Sequence, residues 1–326
     1  IVINGVTHRV RLIERETAPR PEAAAITARA LINLDSVDVL VGPQTSALAV
    51  VAGAAAEASE VPMIAPMASN PAVTAGRRFV NRLAFVDAVQ GTVLARFAYD
   101  SLQVRRAAVL HAAASAYSRD ITRLFDSTFR SLGGRMVAIE TFNSDDSSSH
   151  EPHLRRIMAG RPDAILLPNF VTHDSAQVRI ARALGFRGTF LGSDAWDVLS
   201  MQRREDALGS IVVANWDRKL DREVARQFRA GWQQRYPESR PRATAAATYD
   251  AVYLLADAAQ RTGTKSGAPL AAALRAERAY DGAFARYRFD GTGDPIRGAV
   301  LLEMDRDSTI VRAVIEVKIT PEREGG

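Results

Sequence analysis

Short runs of branched aliphatic residues alternate with segments of helical period along most of the chain. That alternation restricts the fold to α/β architecture built on parallel sheets. The runs Val37–Val41 (VDVLV), Val61–Ala65 (VPMIA), Arg106–Leu110 (RAAVL), Met136–Phe142, Asp163–Leu167 (DAILL), Thr189–Leu191 and Ile211–Ala214 read as buried strands. Phe79–Phe85 reads as extended, and His8–Glu14 (HRVRLIE) alternates as a half-exposed strand would. Helices are expected over Pro21–Leu34, Ser46–Ser59, Asp87–Leu102, Tyr117–Leu132, Leu154–Ala159 and Thr172–Leu184. Gly133-Gly134 closes the fourth of these in the manner of a C-cap. Longer helices follow over Asp221–Tyr236, Arg242–Thr262 and Pro269–Arg278. The tail then changes to an antiparallel pattern, with strands over Arg286–Phe289, Gly298–Met304 and Thr309–Ile319.

A chain of 326 residues is long enough for two domains. It contains no cysteine, which excludes a disulfide framework, a thiolate metal site and a cysteine nucleophile. The formal net charge of +5 is almost all arginine, the lysines being Lys219, Lys265 and Lys318. Its arginines are interleaved with acids, as in Arg203-Arg204-Glu205-Asp206, rather than gathered into a stripe, so nucleic acid is not an expected partner. The apolar tract Ala47–Ala56 is too short to span a bilayer. The start Ile1-Val2-Ile3-Asn4-Gly5 has no targeting signal, and a cleaved signal peptide would leave no trace.

Catalytic signatures are weak. No Gly-x-Ser-x-Gly elbow joins a strand to a helix, and Gly263-Thr264-Lys265-Ser266 lacks the glycine before lysine that a phosphate loop needs. His150 and His153 lie beside the serine-rich run Asn143–His150, and with Asp145 and Asp146 they could hold a metal, but a solvated loop fits better. His111 ends a strand and reads as a core histidine. The turn Asp290–Asp294 is too short for a calcium loop. We expect neither a metal nor a cofactor, and binding rather than catalysis.

Three strand-to-helix loops carry the chemistry. Val41-Gly42-Pro43-Gln44-Thr45-Ser46-Ala47 enters a helix at a hydroxyl, where a helix N-terminus offers free N–H groups to an anion. Ala65-Pro66-Met67-Ala68-Ser69-Asn70-Pro71 follows the next strand, and in an open parallel sheet both loops emerge at the carboxyl edge. Together they suit a carboxylate, although Ser46 and Ser69 could equally be plain cap and turn residues. Leu191-Gly192-Ser193-Asp194-Ala195-Trp196 sets a carboxylate beside an aromatic, a pairing that suits an ammonium group; Asp194 as a simple helix cap is the alternative.

The run VDVLVGPQTSALAVVAGAAAEASEVPMIAPMASNPAVT (Val37–Thr74) resembles the type I periplasmic binding proteins, and within them the branched-chain amino acid (Leu/Ile/Val) binding group of ABC importers. Further similar stretches follow in the family's order: Arg106–Leu110 with Tyr117, Asp163–Phe170, Phe190–Asp194, Tyr249-Asp250-Ala251 and Phe289-Asp290-x-x-Gly293-Asp294. The resemblance implies two lobes, each a parallel sheet flanked by helices, with a hinge and three crossovers near Leu102, Trp216 and Gly298. On that reading residues 1–101 and 217–297 form the N-terminal lobe, and 102–216 with 298–326 the C-terminal lobe. Ser46, Ala68 and Ser69 would hold an α-carboxylate. Tyr117, Phe170 and Asp194 would close from the other lobe, Asp194 on the α-ammonium. Phe170 stands where the family often has tyrosine, so a hydroxyl contact is expected to be lost. Trp196 either walls the pocket or packs in the core. The family's first strand and helix, roughly 30–40 residues if they form one βα unit, are expected to be missing ahead of Ile3-Asn4-Gly5. The implied role is an extracytoplasmic or periplasmic receptor that delivers an amino acid or similar small carboxylate to an ABC permease. A sensor for amides, urea or aromatic acids is the alternative.

Overall fold

In a computed structural model, residues 1–143, 150–196, 204–219, 221–276, 278–289, 291–306 and 308–315 are described. They divide into two compact units. Among the described residues the first takes Ile1–Val86 and Asn215–Gly298, and the second Asp87–Ala214 and Ala299–Ile315, so within them the chain passes between units at three points.

In the first unit, β3 (Leu40–Val41), β4 (Met63–Ala65) and β5 (Val80–Arg82) pair in parallel in that order. The helices α1 (Pro21–Asn33) and α2 (Ser46–Ala58) pack together, and small alanines make that close approach cheap: Ala28, Ala49, Ala52, Ala55 and Ala56 all lie in one core with Leu40, Met63 and Val80. A second core gathers around α8 (Ala243–Thr262), where Ala247, Ala251, Leu254 and Ala258 meet Tyr287 and Phe289 of the small antiparallel sheet β11 (Ala279–Asp281), β12 (Arg286–Phe289) and β13 (Pro295–Ile296), and Phe284 of the turn between its first two strands. Two buried charges organise this core. The Asp250 carboxylate accepts hydrogen bonds from the N–H groups of Ala283, Phe284 and Ala285 and from the Tyr287 hydroxyl at 2.7–3.4 Å. Burial nevertheless pushes its carboxyl up from 3.8 to about 6. The Arg297 guanidinium lies 4.5 Å over the Phe284 ring and donates to the carbonyls of Leu83 and Asn215. The Asn215 side chain in turn accepts from the Phe85 N–H at 3.2 Å.

The second unit is a seven-stranded sheet in the order β15 (Thr309–Ile315), β14 (Ala299–Met304), β10 (Ile211–Ala214), β9 (Thr189–Gly192), β8 (Ala164–Leu167), β6 (Arg106–Ala112) and β7 (Arg135–Phe142). From β10 to β7 it is parallel, and β14 and β15 add an antiparallel edge. The helix α4 (Ala116–Ser131) starts at Ser115, whose hydroxyl accepts the Ser118 N–H at 3.1 Å, and buries Tyr117, Ile121, Phe125 and Phe129 at four-residue spacing.

Two expectations need correction. His8–Glu14 is not a strand. The strands β1 (Val2–Ile3) and β2 (Val6–Thr7) form a small hairpin, the chain then runs irregularly, and the side chains meant to be inward, Val10 and Leu12, are 62% and 77% exposed. Alternation alone makes no strand without a neighbouring strand to bond. The first passage between units falls at Val86–Asp87, not near Leu102. The reason is α3 (Asp87–Arg96): it packs on α4 so closely that a Cβ on Gly91 would sit 2.6 Å from the Ile121 carbonyl oxygen. That contact commits the helix to the second unit. The part of the expected strand Thr309–Ile319 beyond Ile315 lies outside the described residues, as do Asp145, Asp146 and Asp290. Among the described residues, no helix is long and apolar enough to cross a membrane.

Candidate ligand-binding site

Every residue singled out from the loops stands at or just past the carboxyl end of a parallel strand, where open α/β sheets bind ligands. On the first unit, Ser46 opens α2 after β3, and Ala68 and Ser69 follow β4, the neighbouring strand. Thr45 occupies the N-cap position, but its side chain makes no capping bond. The Ser46 hydroxyl instead accepts the backbone N–H of Asn70 at 3.2 Å, so it ties the two loops together. The Asn70 side chain accepts the Ala72 N–H at 3.0 Å and fixes the turn beyond. Ala68 and Ser69 are buried. These loops of the first unit thus set a helix N-terminus beside a braced backbone loop, with a partial positive charge and no acid among Ser46, Ala68 and Ser69.

On the second unit, β6, β8 and β9 are neighbours, and this adjacency brings Tyr117, Phe170 and Asp194 together. The Tyr117 hydroxyl donates to Asp194 Oδ1 at 2.5 Å and accepts the Ala195 N–H at 3.3 Å. Burial and the Asp194 carboxylate hold the Tyr117 phenol well above its ordinary value of 10.0, so it stays a donor. Phe170, at the N-cap of the helix α6 (Val171–Ala183), stacks on Tyr117 with ring centres 5.8 Å apart and planes at 20°. It is 48% exposed, an open aromatic face beside a carboxylate. Trp196 is different. Its ring is buried against Gly192, where a Cβ would come within 2.4 Å, and its indole N–H donates to the Leu167 carbonyl at 2.9 Å. Trp196 therefore locks the end of β8 to the Asp194 loop from below.

Sequence reasoning missed two residues that shape this cluster. Gln90, on α3, accepts the Asp194 backbone N–H at 3.0 Å through Oε1. Asn169 is buried one residue before Phe170; it donates to the Leu110 carbonyl and to Gln177 Oε1, and accepts the Ala112 N–H at 3.0 Å. A lone Gln in a helix and an Asn before an aromatic carry no spacing signal; only the adjacency of β6, β8 and α3 gives them a role. Of the histidines, His111 is buried, and burial lowers its ring below 6.5, which keeps it neutral at pH 7. His153 bonds Glu140 at 2.7 Å, and Arg156 bonds the same carboxylate at 2.8 Å, while His150 is buried against Phe142. Among the described residues, no three His, Asp or Glu side chains are placed to hold a metal ion.

The comparisons with known proteins agree with this architecture. Residues 2–309 match the family described as periplasmic binding protein. A leucine binding protein, LivK, from Thermotoga maritima MSB8 has 30% identity, with 92% of this chain and 86% of that one covered at a TM-score of 0.87. The substrate binding protein LivJ from Streptococcus pneumoniae, solved with isoleucine, has 23% identity, with 97% and 89% covered at a TM-score of 0.87. A solute binding protein from Rhodopseudomonas palustris BisB5, solved with 3,4-dihydroxybenzoic acid, has 21% identity, with 97% and 88% covered at a TM-score of 0.83. The leucine-specific-binding protein of Salmonella typhimurium is 21% identical over 214 residues, which are 65% of this chain; the match spans 57% of that relative's length. With a match across nearly its whole length, the chain belongs to the periplasmic binding protein family.

Proposed function

We propose that this chain is the extracytoplasmic binding protein of an ABC importer and takes an amino acid or a similar small carboxylate for delivery to the permease. Each unit, taken by itself, offers a group that an amino acid needs. The α2 N-terminus, with Ser46 bonded to Asn70 beside buried Ser69, suits the carboxylate. The observation that carries the reading is on the other unit: Asp194, oriented by the Tyr117 hydroxyl and the Gln90 side chain beside an exposed Phe170 ring, suits an ammonium group on an aliphatic or aromatic body. The relatives solved with isoleucine and with a benzoic acid span the ligand classes worth testing.

A second reading, an aromatic acid without an ammonium group, is favoured by the open Phe170 face stacked on Tyr117. Thermal shift against L-amino acids, benzoates, amides and urea separates the two, because a ligand that binds only the folded state raises the midpoint. If the first reading holds, Asp194→Asn abolishes the shift caused by an amino acid. If the shift comes from a benzoate and survives Asp194→Asn, the second reading holds. No shift from any acid in the panel sinks both.

A further inference from the structure

The acidic turn after β12 finds no role in the ligand chemistry above, yet it is coupled to the Ser46 and Ser69 loops of the same unit through one side chain. Arg82, at the end of β5, is fully buried. Its Nε donates to Asp294 Oδ1 at 2.7 Å, and Nη2 donates to the Thr74 hydroxyl at 2.7 Å. Its Nη1 donates to the Asn70 carbonyl at 2.7 Å. The Thr74 hydroxyl donates on to the same Asp294 oxygen at 2.5 Å. The turn is fixed by backbone as well: the Arg82 N–H donates to the Gly293 carbonyl at 3.0 Å, and a Cβ on Gly293 would come within 2.6 Å of the Val80 carbonyl oxygen. Gly293 sits at φ +88, a conformation that favours glycine.

Asn70 is therefore gripped from both sides of its backbone. Its N–H goes to the Ser46 hydroxyl and its carbonyl to Arg82. The Ala68–Asn70 loop cannot shift without breaking a charge-assisted bond to a cation that has no access to water as a substitute partner. Asp294, whose side chain is 30% exposed, supplies the countercharge that makes burial of Arg82 affordable and aims its fork.

We propose that Arg82 and Asp294 are positioning residues for the carboxylate-binding loops of the first unit. They act through Asn70 and set how well the Ala68–Asn70 loop and Ser46 accept a ligand carboxylate. This rests on the reading that the loop binds a carboxylate. It gives Gly293-Asp294 a task that a calcium loop or a plain hairpin turn would not.

Calorimetry tests it with two pairs of probes: L-leucine with L-leucinamide, and benzoate with benzamide. Each pair shares its body and differs in the carboxylate. The variants are Asp294→Asn and Thr74→Val, which leave Arg82 in place, and Arg82→Lys, which keeps the charge and loses the fork. Circular dichroism selects the variants that fold. The expected result is a loss of roughly tenfold or more in affinity for the acid, with affinity for the amide unchanged within about twofold. A variant that folds and weakens acid and amide equally, or neither, overturns the positioning role while the carboxylate reading stands. Wild-type protein that binds neither acid overturns the carboxylate reading and the proposal with it. Should Arg82→Lys fail to fold, Asp294→Asn still decides, because its side chain reaches the surface.

Discussion

Removing the Asn169 side chain should destabilise the second unit far more than the loss of one polar residue would suggest. Asn169→Ala strands the Leu110 carbonyl, the Ala112 N–H and Gln177 Oε1, all bonded to Asn169 at 2.9–3.0 Å in a buried setting. Each buried group left without a partner costs about 1–3 kcal/mol, and partial relaxation brings the sum to about 3–5 kcal/mol. Whole domains are stable by about 5–15 kcal/mol, so the effect is large. Urea unfolding followed by tryptophan fluorescence measures it. Trp196 belongs to the second unit, and Trp216 and Trp232 to the first, so replacing the latter two by phenylalanine leaves a reporter of the second unit alone. Its midpoint should fall sharply, with the slope unchanged. Asn169→Asp should be no milder, because it turns a donor into an acceptor facing the Leu110 carbonyl and Gln177 Oε1. A loss below about 1 kcal/mol for Asn169→Ala would refute the reasoning, since it would mean these partners find other bonds without cost.

The Asp250 carboxyl, raised from 3.8 to about 6, makes folding take up a proton. The stability it contributes is full below 3.8 and is lost as pH rises through about 6, a change of about 3 kcal/mol. Asp250→Asn should therefore make the slope of stability against pH more positive than in wild type between pH values of about 4 and 6, and equal slopes would count against the assignment. Gly91→Ala places a methyl 2.6 Å from the Ile121 carbonyl oxygen and 2.9 Å from the Phe125 nitrogen, backbone atoms that cannot swing away. It should cost about 1–3 kcal/mol in thermal unfolding, and an unchanged melting curve would show that α3 can slide on α4. Trp196→Phe deletes the bond to the Leu167 carbonyl and should lower stability by about 1–2 kcal/mol. Because the ring packs beneath the Asp194 loop, ligand affinity should fall less than it does for Asp194→Asn; calorimetry on both variants checks the order.

What could be read from the sequence follows from how local each signal is. The strand-to-helix loops at Ser46, Ser69 and Asp194 were legible because hydroxyls, prolines and acids beside buried runs mark strand ends. The strand Arg106–Leu110 and the helix from Tyr117 were legible for the same reason. Arg82 was not, since a single arginine after Val80-Asn81 looks like any solvated charge until Asn70, Thr74 and Asp294 close around it. His8–Glu14 misled because its alternation is the right pattern for a strand, but the structure gives Val10 and Leu12 nothing to cover them. The passage at Val86–Asp87 was misplaced because Asp87–Leu102 reads as one helix with no break at its start that would show which unit it joins. The last turn does widen, the Leu102 N–H reaching the Phe97 carbonyl at 3.1 Å, but that irregularity lies well past the passage.

Arg297 bears on what would happen to a severed chain. Leu83, Asn215 and Arg297 stand within a few residues of the three passages between units, and one guanidinium fastens them to each other inside the first unit. A protease cut at any one passage would free a chain end, but that end would remain pinned at its root by the other two. Nicked protein should therefore travel as one particle on a sizing column and come apart into fragments only in denaturant.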